Sequence, residues 1–179
     1  MMNLFILRHA SAGVRRANPL LDVKRPLDKD GKRHCILLAQ TLNALKIQFD
    51  LIVSSPLKRS VQTASLIGTE TGYESRILLS NALAPDASFR DFQKLLSECR
   101  LQENLLVVGH NPNISQFLAQ LLVPASSSTM PLIRMRKGSV ARVSMARPAA
   151  SMQWLLDPRM VRALYTTSTK SSRRKISRK

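Results

Sequence analysis

Cysteine is scarce in this 179-residue chain: Cys35 and Cys99 are the only two, far apart and in no metal-ligand spacing. This excludes a disulfide framework or a cysteine-built zinc site and leaves two free thiols, the usual state in the cytosol. Long apolar runs are missing too, and no window approaches the roughly 20 residues of a membrane helix. Met1 to Leu7 is mostly apolar, but it lacks a basic leader and is cut off by Arg8. No secretory signal or membrane association is therefore expected, and the expected location is cytoplasmic. Aromatic residues make up only 4%, and just Trp154 and Tyr165 follow Phe117. The basic second half thus has few stacking platforms for single-stranded nucleic acid, and neither helix-turn-helix nor zinc-finger spacing occurs.

Acidic residues are the remaining shortage: 11 against 28 lysines and arginines, a net charge of +17. The last ten residues, KSSRRKISRK, hold six of those cations, yet the other 22 still outnumber the acids two to one. The body is basic as well as the tail. Such a surface attracts phosphates, nucleic acid or anionic protein faces through long-range, salt-screened forces.

What is present is a series of short apolar runs alternating with helical patterns. Asn3–Leu7, LIVS at Leu51–Ser54 and LLVV at Leu105–Val108 read as buried strands. Helices are expected over Asp28–Lys46, from Ser55-Pro56 (N-cap and first-turn proline) to about Ile67, over Ser88–Cys99 and over Ile114–Leu122. Gly31 falls within the first turns of the first of these and blurs its start. Ser11–Leu27 reads as a long loop, and Val123–Thr129 as another. Val140–Met145 and Met152–Leu156 complete the strands, with Trp154 packing beneath the last. The expected division is one domain over residues 1–161 and a basic, disordered tail over 162–179. Alternating strands and helices indicate an α/β/α sandwich with a mostly parallel sheet.

In such folds ligands bind beyond the carboxyl ends of the strands. Arg8-His9, Ser54-Ser55 and Gly109-His110 each follow a strand, so one sheet edge should collect them. Arg8 offers a permanently charged fork suited to phosphate oxygens. Arg59 lies near the start of a helix, where free N–H groups already favour an anion. His110 follows a glycine at a strand end and can donate a further hydrogen bond. Arginine does not deprotonate, so His9 is left as the nucleophile: a neutral imidazole can attack phosphorus while the arginines hold the phosphoryl oxygens.

RHA at Arg8–Ala10, SSPLKRSVQTA at Ser54–Ala64 and VGHNP at Val108–Pro112 resemble the histidine phosphatase superfamily, the phosphoglycerate-mutase-like proteins. KRPLDKDGK at Lys24–Lys32 and MQWLLDP at Met152–Pro158 extend the resemblance to the SixA-type phosphohistidine phosphatases. It covers about residues 3–158. The resemblance implies a phosphoglycerate mutase-like three-layer α/β/α sandwich, His9 as the residue phosphorylated in catalysis, and Arg8, Arg59 and His110 completing the phosphate pocket. Arg25 would be a further phosphate-side arginine, and neither a metal nor an organic cofactor is implied. Two features depart from the superfamily pattern: RHA stands where RHG is commoner, and neither Asp86 nor Asp91 matches the usual general acid cleanly.

The missing acid has a chemical meaning. Expelling an alkoxide, whose parent pKa is roughly that of water at 15.7, needs a proton donor. Imidazole, with a pKa of about 6.5, leaves far more readily from phosphohistidine. The expected substrate is therefore phosphohistidine on a protein, such as a histidine phosphotransfer domain of a signalling relay. A small phosphoester or nucleotide is the alternative, favoured if Asp86 or Asp91 reaches the phosphate site. A nucleic-acid or anion-binding role is the third reading, with weak contact through the tail. Asp86 alone reads as a turn or cap residue. His34 reads as structural or exposed, and Arg134, Arg136 and Lys137 as a basic rim.

Overall fold

The computed structural model describes residues 2–123, 127, 129–146 and 149–166. Six strands form one sheet in the order β3-β2-β4-β1-β5-β6: β1 (Asn3–Arg8), β2 (Leu51–Ser54), β3 (Leu78–Leu79), β4 (Asn104–Gly109), β5 (Val140–Ser144) and β6 (Ser151–Leu156). β3, β2, β4 and β1 are mutually parallel, whereas β5 and β6 are antiparallel additions at one edge.

The continuous apolar runs follow from burial on both faces, as parallel sheets require. Phe5, Leu7, Leu106 and Val108 face one core with α2 (Lys29–Ala44), α3 (Lys58–Glu70) and the helix at 158–166, here α6. Their neighbours Leu4, Ile6, Leu105 and Val107 face the other, with α4 (Phe89–Glu98) and α5 (Asn113–Leu122). Phe92 of α4 stacks on Phe117 of α5 with ring centroids 4.9 Å apart, joining those helices over the sheet. Trp154 packs beside Phe5, as its position in the last strand suggested. The fold is the expected α/β/α sandwich. Both cysteines are free and buried. Among the described residues no helix is long and apolar enough to cross a membrane.

Three expectations are corrected. The stretch read as a long loop, Ser11–Leu27, contains α1 (Pro19–Val23), with the Asn18 side chain accepting from the Leu20 N–H and proline in the first turn. No residue of α1 is buried, so it carries no apolar period to read. Next, α3 starts at Lys58, with Leu57 as its N-cap and no side-chain cap bond; the Ser55 hydroxyl accepts from the Leu57 N–H just ahead of it, at 3.4 Å. Finally, the chain stays helical past Val161 to residue 166, and Tyr165 packs on the core. Residues 167–179, most of the expected tail, lie outside the described residues, as does much of the Val123–Thr129 loop.

Sheet register positions the site. Arg8 is paired with Gly109 across β1 and β4, and Ser54 with Val108 across β2 and β4. The three central strands therefore end at one level and release Arg8-His9, Ser54-Ser55 and Gly109-His110 side by side.

Candidate active site

A cleft of about 1310 Å³ opens at that edge, and Arg8, His9, Arg25, Arg59 and His110 all line it. The sequence placed five residues from four segments in one site, and the fold brings all five together.

His9 is nearly buried, and its Nδ1 lies 2.8 Å from the Ala10 carbonyl. A carbonyl only accepts, so Nδ1 carries the hydrogen and the neutral ring keeps its lone pair on Nε2. Desolvation pushes the His9 pKa down to about 3; the Ala10 bond opposes this, and the charges of Arg59, Arg8 and Lys137 add to it. His9 is thus an unprotonated imidazole at neutral pH, the form a nucleophile needs.

The His110 ring lies 4.9 Å from that of His9. Its Nε2 is 2.9 Å from the Ser55 hydroxyl and 3.1 Å from that of Ser60. Burial, followed by the nearby His9, Arg59, Arg8 and Arg25, lowers its pKa to about 2. Serine hydroxyls donate as well as accept, so these contacts suit either tautomer of the ring. The His110 Nδ1 is buried with no protein partner, as are Arg8 Nε and Arg59 Nε. Buried polar nitrogens without partners are rare and costly. Three on residues lining one cleft mark a place built for an anion.

The arginines are braced from behind. Arg8 Nη1 donates to the Met135 carbonyl at 2.8 Å. Arg59 Nη1 donates to the Asp22 carbonyl at 3.0 Å and its carboxylate at 3.3 Å. Burial lowers the pKa of both guanidiniums, yet they stay charged at neutral pH because they start so high. Arg25 spends its Nε on Asp22 at 2.8 Å and its Nη1 on the Gly13 and Ala12 carbonyls at 2.7 and 3.2 Å. It ties the loop after His9 to α1 as well as lining the cleft.

Ser55 stands at the sheet edge where it was expected, but Asp22, Ser60 and Thr63 were not expected at the site. Asp22 joins both arginines and also accepts from the Arg16 N–H; that bond, with Arg25 and Arg59 adding to it against some desolvation, holds its pKa near 2. Thr63 accepts from the Ala10 N–H at 3.1 Å and donates to the Arg59 carbonyl at 2.7 Å, fastening the nucleophile's loop to α3. Thr63 had an available signal in its spacing, four residues after Arg59 and so one turn along α3; Asp22 had none, because the sequence reads its segment as a loop.

The other candidates separate. Asp86 lines the cleft, but Asp91 does not; it forms a capping box with Ser88 at the start of α4. His34 is buried and structural, with Nε2 2.9 Å from the Gly138 carbonyl. Of the basic rim, Lys137 lines the cleft, Arg136 pairs with Asp157 at 3.2 Å, and Arg134 is exposed. No group of three or more His, Cys, Asp or Glu that could hold a metal occurs among the described residues.

A sequence model of the histidine phosphatase superfamily (branch 1) matches residues 4–84, spanning the RHA and SSPLKRSVQTA segments. An uncharacterised protein of Picosynechococcus sp. is 34% identical over 119 residues, covering 65% of this chain and 70% of that one. The chain belongs to the histidine phosphatase superfamily. Its fold matches that of other solved structures. The protein histidine phosphatase SixA complexed with tungstate superposes with a TM-score of 0.76 at 23% identity, over 88% of this chain and 97% of SixA. The alpha-ribazole phosphatase of Shigella flexneri gives 0.69 at 18% identity, over 88% and 97%. At these identities the likeness to each speaks for a shared phosphoglycerate mutase-like fold.

Proposed function

We propose that this member of the histidine phosphatase superfamily is a phosphohistidine phosphatase acting through a covalent phosphoryl intermediate on His9. The observation that carries this is the free Nε2 lone pair of a neutral His9 imidazole in a cleft whose Arg8, Arg59 and His110 each keep a buried nitrogen without a protein partner.

In the first step the His9 Nε2 lone pair attacks phosphorus as the bond to the leaving nitrogen of the substrate imidazole breaks. The proton on that ring's other nitrogen lets it depart neutral. Arg8, Arg59 and His110 donate to the phosphoryl oxygens as charge redistributes, which is most of what such a transfer requires. On phosphorylation the His9 ring becomes cationic, since Nδ1 keeps its hydrogen, and the Ala10 carbonyl stabilises that form. Water then adds to phosphorus, the Nε2–P bond breaks, and phosphate leaves with His9 neutral again.

The carboxylates support the choice of substrate. Asp22 is ionised and paired with two arginines, so it holds no proton to give, and Asp91 is tied up at a helix cap. A readily departing imidazole suits such a site. Asp86 supports a second reading, a phosphatase of small phosphoesters, because it lines the cleft.

Phosphate release from phosphohistidine and from an alkyl phosphate, by the wild type and Asp86→Asn, separates the two. On the phosphohistidine reading the variant keeps release from phosphohistidine within about threefold, because an easily expelled group needs little acid help. A loss of about a hundredfold or more on the alkyl phosphate, the wild type's preferred substrate, would establish Asp86 as general acid and overturn that reading.

A further inference from the structure

The arm between His9 and α2 is built unlike the rest of the molecule. Within ten residues it exposes four large apolar side chains: Val14 at 87%, Leu20 at 76%, Leu21 at 56% and Val23 at 45%. Single exposed leucines are ordinary, but a cluster of this kind on one surface segment is a mark of interaction. α1 buries none of its residues. What fixes it in place is polar: Asp22, paired with Arg25 and Arg59.

Charge sorts the same way. Arg15, Arg16 and Lys24 are exposed on this arm. Asp22 is the only acid between Ser11 and Leu27, and it is already engaged with the site arginines. The outward face is therefore apolar and cationic. It is continuous with the catalytic cleft, since Val14, Arg15, Arg16 and Val23 line the mouth. Leu20 and Leu21 do not line the cleft, so a small molecule held at His9 has no use for them.

We propose that this arm is the docking surface for the phosphorylated protein: an acidic face with an apolar ridge beside its phosphohistidine seats on Leu20 and Leu21. The inference rests on the phosphohistidine reading and adds to it the surface that recognises the protein. Arg15, Arg16 and Lys24 answer the acidic groups, and the leucines supply apolar area that leaves water on docking. Asp22 links the docked arm to the arginines that hold the phosphoryl group.

The test compares two substrates, free phosphohistidine and a histidine phosphotransfer domain phosphorylated with phosphoramidate. The proteins are the wild type, the double variant Leu20→Asp/Leu21→Asp, and the milder Leu20→Ser/Leu21→Ser. Both variants should raise KM for the phosphorylated domain, the aspartate pair by about tenfold or more, and leave the kinetics on free phosphohistidine unchanged. Equal losses on both substrates would make the arm part of the catalytic scaffold, and no loss on either would remove it from recognition. Self-association of the wild type in light scattering, abolished by the variants, would assign the face to a second copy of this chain; each of these three results overturns the proposal. A wild type inactive on both phosphohistidine substrates would instead reject the phosphohistidine reading, and docking with it.

Discussion

Burying two imidazoles beside three arginines makes them poor bases, and this has a measurable consequence for stability. His9 and His110 titrate near 3 and 2 in the folded chain, against 6.5 for a free side chain. Between those values the unfolded chain binds more protons, so stability rises with pH and is lost as pH falls below 6.5. The slope should approach about 1.4 kcal/mol per pH unit for each histidine. Urea unfolding between pH 7 and pH 5 checks this, with the wild type showing a steeper dependence than His9→Ala. Equal slopes would mean that His9 is protonated as easily in the fold as outside it. The residue scale was also where the sequence was most legible. Arg8, His9, Arg59 and His110 are set by strand ends and one helix start, which local pattern reveals. Asp22 was not legible, because its role depends on the path of an arm with no apolar period.

Among the elements, the start of α2 best shows how the fold supports the site. Asp28 caps that helix, its carboxylate accepting from the Gly31 N–H at 2.7 Å and from the Ser11 hydroxyl at 2.7 Å. Ser11 is two residues from His9, so the cap anchors the nucleophile's loop. A Cβ on Gly31 would collide with the Ser11 carbonyl oxygen. Alanine normally improves a helix position by up to about 1 kcal/mol. Here the contact is with backbone that cannot swing aside, so Gly31→Ala should lose about 1–3 kcal/mol in urea unfolding, with a fall in activity as Ser11 shifts. A variant as stable as the wild type would show that the loop does not rest on this turn. The glycine that blurred the helix start in the sequence is thus the residue that permits the contact. The expected Ser55 cap is only partly realised. The hydroxyl accepts from the Leu57 N–H at 3.4 Å, but the helix starts at Lys58, and the same hydroxyl lies 2.9 Å from His110 Nε2 across the strands, which no local pattern records.

At the scale of the whole molecule, three parallel strands ending at one level collect the site, and the surplus of positive charge gives it long-range reach. The three-layer architecture was legible because burial on both sheet faces leaves unbroken apolar runs. Both antiparallel strands were read close to their observed bounds, whereas the helix at 158–166 was not, because most of its residues are exposed. All of this geometry converges on one claim, that His9 accepts the phosphoryl group. The most direct test follows phosphate release from a phosphohistidine-bearing protein by the wild type and by His9→Ala at equal concentration, with rapid quenching to capture phosphorylated enzyme. Release by the wild type is expected, together with an acid-labile phosphoryl group on His9, and neither from the variant. Equal release by both proteins would contradict it.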